Sequence, residues 1–171
     1  KDIVERHSLK DDAILTATLD VLASATGSLT NPNKLVNTLD SQSHLRTTNR
    51  TFGKYLKYME DAFLFSKASR WDVRGKKHLE FPCKFYCEDL GLRNARLNFR
   101  EIEFPHLMEN AIWNELVRRG YAVDVGMVQI TTRKGGERIT RNHEIDFIVN
   151  SGSRKLYIQS AFSMDGKKQA G

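Results

Sequence analysis

The sequence predicts an α+β chain, with three helices and a basic β-hairpin in the first half and a longer helix and three strands in the second. Three observations carry this. Apolar residues recur at helical spacing in four stretches, each opened by a capping residue or a proline. Beyond residue 120 the pattern changes to period two, punctuated by Gly-rich turns. The positive charge is gathered where the early helices meet the first strands. The chain has 171 residues, 40% of them apolar, which is enough for one domain or two small ones.

No apolar run approaches the roughly 18 residues that a membrane span requires. The start, Lys1-Asp2-Ile3-Val4-Glu5-Arg6, has no signal-peptide core. A soluble, cytoplasmic protein with no membrane partner is expected. The chain begins without Met and ends on Gly-Lys-Lys-Gln-Ala-Gly, as expected of a portion of a longer protein.

Asp11 and Asp12 precede Ile14, Leu15, Leu19 and Leu22, with Gly27 beyond, so a capped amphipathic helix ends at a glycine. Asn31-Pro32 caps a short second helix with Leu35, Val36 and Leu39 on one side. Thr47-Thr48-Asn49 begins a third, on which Phe52, Tyr55, Leu56, Met59 and Phe63 share the apolar face and Arg50, Lys54 and Lys57 the opposite one. Phe63-Leu64-Phe65 opens a strand. Trp71 to Lys77 is a basic turn in which Gly75 can supply a positive φ, and Phe85-Tyr86 lies on the returning strand.

From His44 to His78 the chain carries nine Lys and Arg against three acids, which is the whole net excess of +6. Such clustering suits phosphate, because each neutralised phosphate releases counterions. It also suits a solvated face. Three helices with a basic outer face on the last, followed by a hairpin, form the winged helix-turn-helix pattern, whose third helix can enter the major groove of double-stranded DNA. Arg50, Lys54, Lys57, Arg74, Lys76 and Lys77 are then the candidate nucleic-acid contacts. Winged helices also dock proteins, so the alternative of a docking module without DNA contact stays open.

Cys83 and Cys87 could pair, or hold zinc with His78, although no fourth ligand is evident. On a strand, Phe81, Cys83, Phe85 and Cys87 alternate onto one face with Lys84 and Tyr86 opposite, an ordinary buried pattern.

In the second half Pro105 opens a helix with Leu107, Met108, Ala111, Ile112, Leu116 and Val117, closed by Arg118, Arg119 and Gly120. Glu109 lies beside Ile112 and Trp113. By itself it reads as an exposed acid at the edge of the apolar stripe. Strands follow at Tyr121 to Ile130, Ile139 to Val149 and Leu156 to Phe162, with turns at Lys134-Gly135-Gly136 and Ser151-Gly152-Ser153. Strict alternation puts Ile145, Phe147 and Val149 on one face and Glu144 and Asp146 on the other; Tyr157, Gln159 and Ala161 oppose Leu156, Ile158 and Phe162. If these strands pair, Asp146 and Gln159 face a cleft that Glu109 reaches from the helix. Oxygen ligands so placed suit Mg²⁺. Glu144 is either a further ligand or a surface residue.

An ordered set of motifs then resembles a known family. Asp2-Ile3-Val4-Glu5-Arg6-His7, Tyr58-Met59-Glu60-Asp61-Ala62-Phe63-Leu64, Trp71-Asp72-Val73-Arg74-Gly75-Lys76-Lys77, Glu88-Asp89-Leu90-Gly91-Leu92-Arg93-Asn94-Ala95, His106-Leu107-Met108-Glu109-Asn110, Glu115-Leu116-Val117-Arg118-Arg119-Gly120-Tyr121 and Glu144-Ile145-Asp146-Phe147 look like the C-terminal region of a prokaryotic AAA-type ATPase family. There a winged helix precedes a domain of unknown function related to PD-(D/E)XK nucleases. The resemblance implies a winged helix over residues 1–80, a linker over 81–104, and a restriction-endonuclease-like α/β core over 105–171. A further helix and strand should follow the third core strand, so the core is expected to be incomplete at its C-terminus.

It also implies Glu109 as the helix carboxylate, Asp146 as acidic metal ligand, Gln159 in place of the second acid and Ala161 in place of the catalytic lysine. His143 and Lys155 are the residues that could replace that lysine. A metal at Glu109, Asp146 and Gln159 would polarise a phosphate and activate water, and the lysine would stabilise charge. The expected function is a nucleic-acid-binding or regulatory module of an ATP-binding protein with a degenerate core; the alternative is an Mg²⁺-dependent DNA endonuclease. No Gly-x-x-x-x-Gly-Lys-Ser/Thr occurs, so ATP would bind only through an upstream ATPase module, the implied partner. A homo-oligomer is left open.

Overall fold

The computed structural model describes residues 12–100 and 102–161, and the motif at residues 2–7, Asp11 and Phe162 lie outside them. The order is α1 (Asp12–Ser24), α2 (Pro32–Ser43), α3 (Asn49–Asp61), β1 (Phe65–Asp72), β2 (Lys77–Cys87), α4 (Leu90–Arg96), α5 (Phe104–Arg118), β3 (Ala122–Lys134), β4 (Glu137–Ser151) and β5 (Arg154–Ile158). These are five helices and one five-stranded mixed sheet, ordered β2-β1-β3-β4-β5. The β1/β3 pair is parallel and the others antiparallel.

The helix starts follow their caps. Asn31 accepts the Lys34 N–H at 2.9 Å ahead of Pro32, and Thr48 accepts the Thr51 N–H at 3.1 Å. Leu15, Val21, Leu22, Leu35, Leu39, Phe52, Tyr55, Leu56 and Met59 meet in one core, which Phe65, Cys83, Phe85 and Cys87 complete from the hairpin. The two cysteines are free thiols there, and burial pushes the Cys83 thiol up to about 11. Phe63 does not continue the α3 stripe. It lies past the helix end at φ 54°, 81% exposed, and β1 begins at Phe65.

The other face of the hairpin carries a second core, in which Ala68 and Tyr86 pack with Trp113, Val125, Phe147 and Val149. The hairpin is therefore the wall between two hydrophobic layers, and an expected boundary at residues 80/81 falls inside β2. The segment 81–104 likewise contains the end of that strand and α4. Arg93 of α4 donates to the Ala23 carbonyl at 3.1 Å, and Arg96 reaches Asp20 at 2.6 Å, tying α4 to α1.

The turn joining β1 to β2 differs from expectation in one residue. Lys76, not Gly75, holds the left-handed conformation, at φ 50°. Asp72 Oδ1 accepts the Arg74 and Gly75 N–H groups at 3.1 and 2.9 Å, and its carboxylate closes over Gly75 where a Cβ would stand.

β2 is an edge strand whose outer edge is covered. Cys83 exchanges backbone bonds with Thr30, Gly27 N–H reaches the Phe85 carbonyl, and the buried Asn110 side chain accepts from Cys87 N–H and donates to Cys87 O, both at 2.8 Å. Asn110 thus acts as one residue of a missing strand and docks α5 on the sheet. Asn110→Ala leaves the Cys87 N–H without a partner, whereas Asn114 still serves the carbonyl at 3.0 Å. A loss of about 2–3 kcal/mol in urea denaturation is expected, because a buried unpaired donor carries its full desolvation cost.

Candidate functional site

A buried polar cluster occupies the second core where β2, α5 and β4 meet. Lys84, on β2 opposite the cysteines, is 3% exposed. Its Nζ lies 2.7 Å from Glu109 Oε1 and 2.6 Å from Glu144 Oε1. The Tyr86 hydroxyl donates to the same Glu109 oxygen. Asp146 Oδ2 accepts both the N–H and the hydroxyl of Ser160 at 2.7 Å, binding the segment after β5 to β4.

Glu109 is buried at 7% exposure, so it is not the solvated acid that its position on the helix stripe predicts. Burial first, then the Glu109 charge and hydrogen bond, hold the Tyr86 phenol far above its usual range. The phenol is therefore a neutral donor. For Lys84, burial disfavours the ammonium, but the two glutamates outweigh it and raise the pKa above the ordinary value of 10.5. Lys84 is a cation fixed between two carboxylates.

A β-bulge accounts for how the acids of β4 reach this side. The β3/β4 register advances two residues from Asp124 to Gly126 while β4 advances three, from Ile148 to Ile145. A Cβ on Gly126 would lie 2.8 Å from Ile145 Cβ and 2.9 Å from Ile148 Cδ1, so those two side chains share the face away from α5. Phe147 and Val149 pack toward Trp113 of α5, and Glu144 reaches Lys84 on that same side. Strict alternation would separate Glu144 and Asp146 from Phe147. The extra residue brings them to one face, and only glycine at position 126 leaves room for the two isoleucines.

Of the three residues expected to bind metal, Glu109 and Asp146 are both buried, and both act on the Tyr86 phenol. Gln159 does not join them. β5 ends at Ile158, and Gln159 and Ala161 are exposed beyond it. The residue of that segment that turns inward is Ser160. His143 is exposed, and Lys155 lies over the Trp71 ring at 4.8 Å, so neither replaces the missing lysine. The cation in the cluster comes from β2. A single lysine within the otherwise apolar run of residues 81–87 at the end of β2, both faces of which pack on core residues, is the signal that could have found it.

These residues do not fit an Mg²⁺ cage. Lys84 takes the place between Glu109 and Glu144, one Asp146 oxygen is engaged by Ser160, and among the described residues no three His, Cys, Asp or Glu side chains converge as ligands. The arrangement is an ion-paired core linking three elements.

The candidate nucleic-acid contacts lie elsewhere. Arg50 and Lys54 on α3 and Arg74, Lys76 and Lys77 around the turn are all exposed, with no carboxylate partner among the described residues. Lys57 is exposed on the same helix and pairs with Asp61 at 3.3 Å. No helix among the described residues is long and apolar enough to cross a membrane.

The chain is 39% identical over 163 residues, 95% of its length, to an uncharacterized protein of Haemophilus influenzae. It is 24% identical over 165 residues to the uncharacterized protein MJ1544 of Methanocaldococcus jannaschii. It spans 38% and 34% of those two relatives. No solved structure matches. A family model matches residues 1–103, the three helices, the hairpin and α4, and stops just before α5. The chain belongs to that family, the domain of unknown function DUF8612.

Proposed function

We propose that this chain is a double-stranded-DNA-binding, regulatory module of a larger ATPase, with a winged-helix head and a nuclease-like core that does not cut. The observation that carries this is the set of five exposed cations without a carboxylate partner among the described residues, Arg50, Lys54, Arg74, Lys76 and Lys77, on one helix and one turn. The head supports the reading by its order: helix, Thr30 bridged to Cys83, two helices, then a hairpin. This is the winged-helix order, with the third helix as the groove reader and the turn as the backbone contact. The helix–strand–strand–strand order from α5 to β5 with buried Glu109 and Asp146 supports the nuclease-like reading of the core. The chain covers little more than a third of its relatives, which suits a module of a longer, ATP-binding protein.

Binding to a 30-base-pair duplex, followed by anisotropy across a salt series, tests the reading. The affinity is expected to fall steeply, with each phosphate contact adding about 0.9 to the slope of log K against log salt. Replacing all five cations by Ala is expected to flatten that slope by about 4.5. A wild-type response that is already flat overturns the proposal, and stable capture of a protein partner without nucleic acid would favour docking instead.

The core is read as non-cleaving because Lys84 neutralises the carboxylates and Gln159 stands outside the cluster. Plasmid, linear and branched DNA should stay intact with Mg²⁺ or Mn²⁺. Cleavage that disappears in Asp146→Ala would replace this part of the reading with an endonuclease.

A further inference from the structure

Residues 128–143 form a two-stranded ribbon that leaves the sheet. β1 pairs with β3 only over Arg70–Asp72 against Val125–Met127, and β5 pairs with β4 only from Phe147 onward. Between these limits the two strands pair with each other alone, for seven residues each side, or roughly 24 Å at strand rise. The tip turns on Gly135 and Gly136, at φ 62° and 88°, which are the two positive values a tight hairpin turn needs.

On the face where Gln129, Thr131 and Arg133 oppose Asn142, Thr140 and Arg138, only Thr131 is half-buried and the other five side chains are exposed. Gln129 bonds Asn142 at 3.4 Å and Thr131 bonds Thr140 at 3.0 Å, a ladder of polar side chains. At its outer end two arginines stand directly opposite each other, and neither has a carboxylate partner among the described residues. Like charges paired across strands weaken a ribbon that already lacks a core. Charge placed only to block edge pairing would not require this arrangement, because a Glu opposite either Arg would serve as well and stabilise the pair. The whole arm has four Arg and Lys against the single Glu137.

We infer that the β3–β4 ribbon is a second DNA-contacting arm, which lays its Arg133/Arg138 face on a duplex alongside the segment held by the head. The inference rests on the double-stranded-DNA reading above and extends it to a surface that reading does not use. Chemistry selects duplex DNA. The two arginines are bidentate donors for phosphate or guanine edges, and the Gln, Asn and Thr ladder offers the donors and acceptors that read adenine and phosphate. A two-stranded ribbon fits the B-form major groove, about 12 Å wide, but not the deep, narrow groove of A-form RNA.

The test compares wild type, the five-Ala head variant, Arg133→Ala/Arg138→Ala and Arg133→Lys/Arg138→Lys on one 35-base-pair duplex, by salt-dependent anisotropy and hydroxyl-radical footprinting. Both arginines are exposed and repel each other, so thermal unfolding of the variants should be no lower than that of wild type. The alanine pair is expected to lower the salt slope by about 1.8 and shorten the footprint on one side; the lysine pair should retain the slope. If wild type binds, the head variant weakens and the alanine pair equals wild type in slope and footprint, the arm is overturned and the head stands. If the alanine pair weakens while the head variant does not, the arm stands and the head assignment falls. No salt-dependent binding by wild type overturns both.

Discussion

Lys84→Ala is expected to lower the unfolding free energy by about 3–5 kcal/mol near neutral pH, because it takes the ammonium from two glutamates and leaves the buried Glu109 with only the neutral Tyr86 hydroxyl as partner among the described residues. Glu109 and Lys84 are both nearly excluded from solvent, so water cannot enter cheaply to replace the lost partner. A surface pair would cost under about 1 kcal/mol. The measurement is urea denaturation of wild type and variant, and a loss in the surface range would show that water already penetrates the cluster. The triple change Lys84→Met/Glu109→Gln/Glu144→Gln removes all three charges together. It is expected to recover most of the loss, since a buried ion pair is worth much less than the damage done by removing half of it.

The same cluster fixes the sign of the alkaline response. The pKa of Lys84 is raised in the fold above its unfolded value near 10.5, with burial opposing the shift and the glutamate contacts overcoming it. A raised lysine contributes stability that is fully present below the unfolded pKa and is lost as pH climbs through the folded one. The gap between wild type and Lys84→Ala should therefore hold from neutral pH to about 10.5 and narrow above it.

What the sequence disclosed about this fold was local. Asn31-Pro32, Thr48 and the Gly135-Gly136 pair act within four residues of themselves, and the helices and turn they specify appear where they specify them. What it concealed depends on contacts between distant segments. The β4 bulge is a mismatch in length against β3, so no alternation count along β4 alone reveals that Asp146 and Phe147 share a side. Lys84 looks like a solvent-facing strand residue until α5, some 25 positions later, covers it with Glu109. Position counting in the three-residue run Gln159-Ser160-Ala161 favours its outer members, but the strand ends one residue earlier and Ser160 is the one that binds Asp146. The division into a head and a core likewise missed that one hairpin lines both hydrophobic layers, with cysteines on one face and Lys84 and Tyr86 on the other.

Trp113→Ala is expected to cost about 3–5 kcal/mol, the range for emptying a large aromatic site in a packed core. Trp113 is 4% exposed, lies one turn beyond Glu109 on α5, and stacks on Tyr86 with ring centroids 4.7 Å apart at 20°. The ring therefore fills the second core and also seals the phenol that holds Glu109. Trp113→Phe separates the two contributions. It keeps an aromatic face against Tyr86 while removing the buried indole N–H, which has no hydrogen-bond partner among the described residues. Relief of that donor offsets part of the lost volume, so the loss should be no more than about 1–2 kcal/mol. Ultraviolet titration of tyrosine supplies a second readout. Tyr86 should stay protonated in wild type and Trp113→Phe up to the pH of unfolding, whereas water entering the Trp113→Ala cavity should bring its titration down toward the ordinary phenol range. Equal losses in the two variants, with Tyr86 unchanged in both, would mean that the stack neither fills the core nor shields the cluster.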